Sequence, residues 1–258
     1  MDVRVSSWGE LQDAVFADAW RGEINRFRSG FVFRGVPRES HCLETSLQTG
    51  FYVPHERHLL SSFRKYALRN SVHGDWVWNW LSLAKHHGLP TRLLDWSYSP
   101  FVAMHFATQN LKDFEEDAAI WCVDYNQTNQ LLPRPLRKLL ADEDVNIFTA
   151  ELLNRVAPSL AAFDALSKRD FVLFFEPPSL DDRIVNQFAL FSLPSSPSLP
   201  LESLLKRRDA AYRRIIIPAA LKWEVRDKLD QANITERVLF PGLDGLSQWL
   251  KRYFYKRA

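Results

Sequence analysis

Only two cysteines occur in the 258 residues, Cys42 and Cys122. They form no CxxC pair and sit among apolar neighbours, which excludes a disulfide framework and points to a reducing compartment. Glycine is almost as scarce, at nine residues. None of them falls into GxGxxG or GxxxxGK[ST], so neither a Rossmann cradle nor a P-loop has support. GxSxG is missing too, which removes the nucleophile elbow of the α/β-hydrolases. No apolar run approaches the roughly 18 residues that a spanning helix requires. The first twenty residues carry Asp2, Arg4, Glu10, Asp13 and Asp18, a pattern no secretory leader would have. The expectation is a soluble, cytoplasmic protein with no membrane partner.

A charge of one dominant sign is also lacking, with 33 Lys and Arg against 31 Asp and Glu. The cations gather in residues 200–258, thirteen against seven acids, but they alternate with a helical apolar pattern and read as a solvated face. Histidines His55 and His58 can share a helix face, and His86 and His87 are adjacent. No carboxylate or cysteine completes either pair at a metal-binding spacing, so no metal site is expected.

What is present is an apolar, aromatic-rich chain, 46% hydrophobic with nine Trp and eighteen Phe. Ser7 and Glu10 form a capping box ahead of a first helix. FVFRG (31–35) reads as a short strand. Residues 56–70 form a helix that places Leu59, Leu60, Phe63, Tyr66 and Ala67 on one face, and a second helix over about 75–87 does the same with Trp76, Val77, Trp80, Leu81 and Ala84. Gly88 and Pro90 stop it. Ser99-Pro100 starts another helix, on which Ala103 and Ala107 leave a smooth stripe for close packing. Strands are expected at 118–124, 170–176, 183–193 and 213–218, with a mostly helical insert at about 130–168, a loop at 194–200 and a closing helix at about 243–254 carrying Leu246, Trp249, Leu250 and Tyr253 inward. Helices come early and strands late without βαβ alternation, so the reading is α+β in a single domain over 1–258, with 1–28 as an N-terminal helical extension.

Several polar residues stand where bland structure would not put them. Arg34 lies inside a strand beside Gly35, whose missing side chain would let a ligand approach the backbone. Arg92 and Asp95 occupy the turn between two apolar helices, and Gln187 falls mid-strand. Buried charges must be paired, so Asp95 either caps or pairs with Arg92 or Arg34 as a polar staple, or the group serves a ligand.

FVFRG, AKHHGLPTRLLDWSYSPFVAMHFA, EPPSLDDRIVNQFALF and IIIPAALKWEVRDKL, in that order, resemble the FRG domain family, named for the tripeptide that is Phe33-Arg34-Gly35 here. Lys85 stands where the family commonly has glutamine, and Ala189 where it commonly has glycine. The family is distantly similar to ADP-ribosyltransferases, so the resemblance implies a split, mainly antiparallel β core with NAD, as substrate, in a cleft between two small sheets. It implies transfer of ADP-ribose to a protein or nucleic-acid acceptor, in a bacterial defence or toxin setting. Arg34, Asp95 and Gln187 are then the expected catalytic residues, with Glu176 as a second candidate carboxylate. Arg34, Gly35, His86, Thr91, Arg92, Trp96, Tyr98 and Phe191 are the expected NAD-binding set. The competing reading is a non-catalytic module that binds nucleic acid or nucleotide through the aromatic cleft and the basic C-terminal region.

Overall fold

Local signals set the first elements. Strand β1 (Asp2–Arg4) leads into helix α1 (Trp8–Phe16), which begins where the Ser7 Oγ accepts the Glu10 N–H. The box is displaced by one residue, because the Glu10 carboxylate accepts from the N–H and hydroxyl of Ser6. The computed structural model describes residues 2–67, 72, 74–179, 181–207 and 212–256. A separate ribbon of β2 (Trp20–Arg21) and β3 (Arg26–Phe27) precedes β4 (Phe31–Val36), which carries the FRG tripeptide.

Helices α2 (Ser46–Thr49), α3 (Glu56–Tyr66) and α4 (Val77–His86) follow. Residues 68–70 of the helix expected to 70 lie outside the described residues. Tyr66 points to solvent rather than inward. Helix α4 stops as its glycine dictates, with Gly88 at φ +82° and the Leu89 N–H returning to the Ala84 carbonyl. Strand β5 (Leu94–Ser97) then enters α5 (Pro100–Ala107), whose Val102 N–H donates to the Ser99 hydroxyl.

Beyond β6 (Ala118–Asp124) come α6 (Tyr125–Gln130), α7 (Arg134–Asp142), β7 (Phe148–Thr149), α8 (Ala150–Val156) and α9 (Leu160–Asp164). The chain continues through β8 (Val172–Glu176), α10 (Asp182–Asn186), β9 (Ala189–Pro194), α11 (Leu201–Arg207) and β10 (Tyr212–Ile217). Helices α12 (Ala219–Gln231), α13 (Glu236–Leu239) and α14 (Leu243–Tyr253) complete it.

The architecture is α+β around one eight-stranded sheet, ordered β1-β10-β6-β4-β5-β9-β8-β7. Only the outer pairs β1–β10 and β7–β8 are parallel. Strand β4 pairs with β6 over its whole length, and β5 pairs with β9 from Leu94↔Ser192 to Ser97↔Ala189. Between β4 and β5 a single pair, Phe33↔Ser97, joins the two halves. One face of the sheet is covered continuously by a core that includes Val32, Trp96, Trp121, Phe174 and Leu205. The other face carries two separate cores. Phe33, Ile120 and Ile215 pack under α1, α5 and α12, whereas Leu173, Phe175 and Leu193 pack under α4, α8 and α9.

Two expectations are corrected. Residues 183–193 are not one strand: Asp181 caps α10 by accepting the Ile184 N–H, and β9 begins only at Ala189. Helix α14 has the expected period but the opposite phase. It buries Gly245 and Arg252, leaving Leu246, Leu250 and Tyr253 exposed.

Candidate functional site

Strands that share one residue pair must diverge on either side of it, and the divergence of β4 from β5 leaves a hollow of about 470 Å³. That lies within the range of small-molecule sites. Its floor includes Arg34, Gly35, Asp95 and Ser97, and one wall is α5 through Val102, Phe106 and Gln109. The segment after β4 contributes His41, Cys42, Glu44 and Thr49, and the far wall holds Arg183, Gln187 and Ala189.

Arg34 sits at the parting of the strands. One guanidinium nitrogen, NH1, donates to the backbone carbonyl of Asp95 at 2.8 Å, and its Nε has no partner. Desolvation lowers the Arg34 pKa against the opposing pull of Asp95. The Asp95 carboxylate pairs with Lys85 at 2.7 Å while remaining half exposed to the hollow. Its crowded surroundings would raise its pKa, but the Lys85 and Arg34 charges outweigh them and hold it below the usual carboxylate value. Lys85, the departure from the common glutamine, is therefore the counter-ion of Asp95.

Gln187 lies at the end of α10, not mid-strand. Its Nε2 donates to the Leu239 carbonyl at 2.9 Å, and its backbone carbonyl accepts the Ser97 hydroxyl at 2.7 Å. Gly35 borders the hollow, but its missing side chain serves another purpose. A Cβ there would lie 1.8 Å from the Ala103 carbonyl oxygen and 2.7 Å from the Ala107 nitrogen. The glycine admits the Ala103/Ala107 stripe of α5, not a ligand.

Trp96 also borders the hollow, yet its indole is buried, donates to the Ser192 hydroxyl and meets Phe174 edge-on. The remaining expected residues lie elsewhere. His86 pairs with Asp181 at 2.6 Å, and desolvation lowers its pKa. Thr91 is buried, its hydroxyl accepting the Leu93 N–H. Arg92 is 1% exposed and clamped between Glu56 and Asp164, donating from Nε to Glu56 and from NH1 to Asp164, each at 2.6 Å. The Tyr98 hydroxyl donates to Glu176 at 2.8 Å, which takes both residues away from the hollow's lining. Phe191 is buried edge-on against Phe175.

The sequence reading missed Glu44 and Arg183. Both are exposed and line the hollow, and no ion pair among the described residues neutralises Glu44. Glu44 lies in no periodic apolar pattern that would have flagged it, and Arg183 heads the stretch 183–193 whose alternation reads as a strand. Among the described residues no group of three His, Cys, Asp or Glu is placed to hold a metal ion, and no helix is long and apolar enough to cross a membrane. The basic C-terminal region is less solvated than its pattern implied: Arg226 and Arg252 are buried, both paired with Asp230, and Arg252 also with Glu236.

Residues 29–116, about a third of the chain, match the family model of the FRG domain. The match takes in Arg34, Gly35, Lys85, Asp95 and α5, and ends before Arg183 and Gln187. No curated protein matches the chain. No solved structure matches it either.

Proposed function

With an FRG domain at residues 29–116 as premise, we propose that the hollow between β4 and β5 binds NAD and that the protein breaks the nicotinamide–ribose bond, passing ADP-ribose to a protein or nucleic-acid acceptor. The observation that carries this reading is Arg34: a cation in the floor of a nucleotide-sized hollow, held by one backbone carbonyl, with its Nε unsatisfied. Leaving a buried donor without a partner costs on the order of 1–3 kcal/mol. A phosphate or ribose oxygen in the hollow compensates the guanidinium charge through charge-assisted hydrogen bonds.

Each hollow residue then has a role. Arg34 holds the pyrophosphate or the nicotinamide ribose. Gln187, its Nε2 committed to Leu239, keeps its amide oxygen as an acceptor for a ribose hydroxyl. Cleavage develops positive charge on the ribose, and an oriented carboxylate stabilises that charge as it grows. Asp95 and Glu44 are the two carboxylates that line the hollow. Asp95 is already balanced by Lys85, so it orients, while Glu44 supplies the less compensated charge.

The test is purified protein with NAD labelled in the nicotinamide, with and without cell lysate. Wild type releases nicotinamide, Arg34→Ala does not, and Glu44→Gln turns over roughly 100-fold slower than wild type. No release by wild type under any of these conditions removes the enzymatic reading. Release that survives in Arg34→Ala removes Arg34 from the site.

A further inference from the structure

Six non-glycine residues among those described have positive φ: Asp18, Asn25, Phe51, Asp144, Phe188 and Asn233. Four are Asp or Asn, whose short polar side chains tolerate the left-handed region. The other two are phenylalanines, at φ +59° and +47°, where a bulky side chain is a genuine outlier. Both neighbour the hollow's lining in the chain without belonging to it: Phe51 is two residues past Thr49, and Phe188 stands between Gln187 and Ala189, all three of them lining residues.

Each phenylalanine closes a short helix at the position that glycine normally takes. After α2, the Phe51 N–H donates to the Gln48 carbonyl at 3.1 Å and the Tyr52 N–H to the Leu47 carbonyl at 2.8 Å, the Schellman arrangement. After α10, the Phe188 N–H donates to the Val185 carbonyl at 3.0 Å. Glycine would make the same turns without steric strain.

Burial does not account for the rings. Phe51 is 86% exposed and Phe188 60%, and among the described residues neither ring meets another ring or a cation. Of the expected stacking residues, Trp96 and Phe191 are locked in the core. Tyr98 is bound to Glu176. Strain of this kind concentrates where a ligand is held, and an aromatic face in water is the usual platform for a flat ring.

We propose that Phe51 and Phe188 form an aromatic rim on the hollow that stacks a flat heteroaromatic ring, the purine or pyridinium end of a nucleotide. The assignment rests on the nucleotide reading of the hollow. It names two contacts which that reading does not require.

The test compares Phe51→Gly, Phe188→Gly and Phe51→Leu with wild type, by thermal melting and by calorimetric titration with NAD, AMP and ribose 5-phosphate. Glycine relieves the backbone, so each glycine variant melts about 2–4 °C higher. Each binds NAD and AMP about tenfold more weakly, while ribose 5-phosphate, which has no ring, is unaffected. Phe51→Leu keeps the strain and an apolar side chain, so it loses affinity without the gain in Tm. Glycine variants that melt lower would make the rings structural and overturn the rim. NAD cleavage by wild type with affinities unchanged in all three variants overturns the rim and leaves the enzymatic reading standing. Ring-dependent AMP binding without NAD cleavage supports the rim and removes the enzymatic reading.

Discussion

Arg92 and Arg34 are both arginines that the chain sets close to apolar residues, and their surroundings could hardly differ more. Arg92 is sealed, its fork filled by the carboxylates of Glu56 and Asp164. Those two pairings outweigh desolvation and leave its pKa above the ordinary value. Arg34 has a backbone carbonyl on one nitrogen and nothing on Nε, and desolvation leaves its pKa below the ordinary value. The first arrangement holds α3, α9 and the turn before β5 together. The second is incomplete within the chain, and that incompleteness is what the proposed nucleotide site builds on.

Truncating each arginine gives the largest contrast. Arg92→Ala leaves the buried Glu56 carboxylate without its partner, and removal of one member of a buried pair costs about 3–5 kcal/mol. Arg92→Ala is therefore expected to melt about 10 °C lower or more, whereas Arg34→Ala stays within a few degrees of wild type. Equal losses in the two melting curves would erase the distinction and make Arg34 a second staple.

That distinction was half legible in the sequence. A charged residue inside FVFRG drew attention to Arg34, and the strand, its neighbour β6 and the glycine stop of α4 fall where alternation and Gly88-Pro90 put them. Arg92 looked like a ligand-binding residue because its partners lie 36 and 72 positions away, and no local pattern reports a contact at that range. The stretch 183–193 misled for a related reason. Its alternation suits a strand, but the Asp181 cap and a left-handed Phe188 with no glycine to announce it make a helix and a turn. In α14 the period was readable and the phase was not, because the ion pairs of Arg252 with Asp230 and Glu236 decide which face turns inward.

The glycine of the tripeptide sharpens the same contrast between holding the fold and holding a ligand. A methyl group at Gly35 would collide with the backbone of α5, at Ala103 and Ala107, and backbone atoms cannot rotate away as a side-chain tip can. Overpacking of this kind costs typically 1–3 kcal/mol, occasionally more. Gly35→Ala is expected to lower the free energy of unfolding by that amount, read from the shift of the denaturant midpoint, without touching the Arg34 contact directly. Unchanged stability with lost nucleotide binding would return Gly35 to the ligand.

The smallest effect comes from the sealed side of α5, the helix whose other side lines the hollow. His105 is fully buried, with its Nδ1 2.9 Å from Arg226 NH1 and its Nε2 without a partner. Burial, reinforced by the Arg226 and Arg252 charges and only partly offset by Glu236, drives its pKa down to about 3. The ring is neutral when folded and titrates near 6.5 when unfolded, so below that value the unfolded chain binds a proton that the folded chain does not. His105 therefore contributes stability that is fully present above pH 6.5 and is lost as pH falls towards 3, by about 1.4 kcal/mol per pH unit. Between pH 7.5 and 5.5 the free energy of urea unfolding should drop by roughly that amount more in wild type than in His105→Gln, a variant that retains an acceptor for Arg226 but has no proton to gain. Equal pH dependence in the two proteins would mean that His105 takes up its proton as readily in the folded chain as in the unfolded one, and that the network beneath α5 is less sealed than the Arg92 clamp.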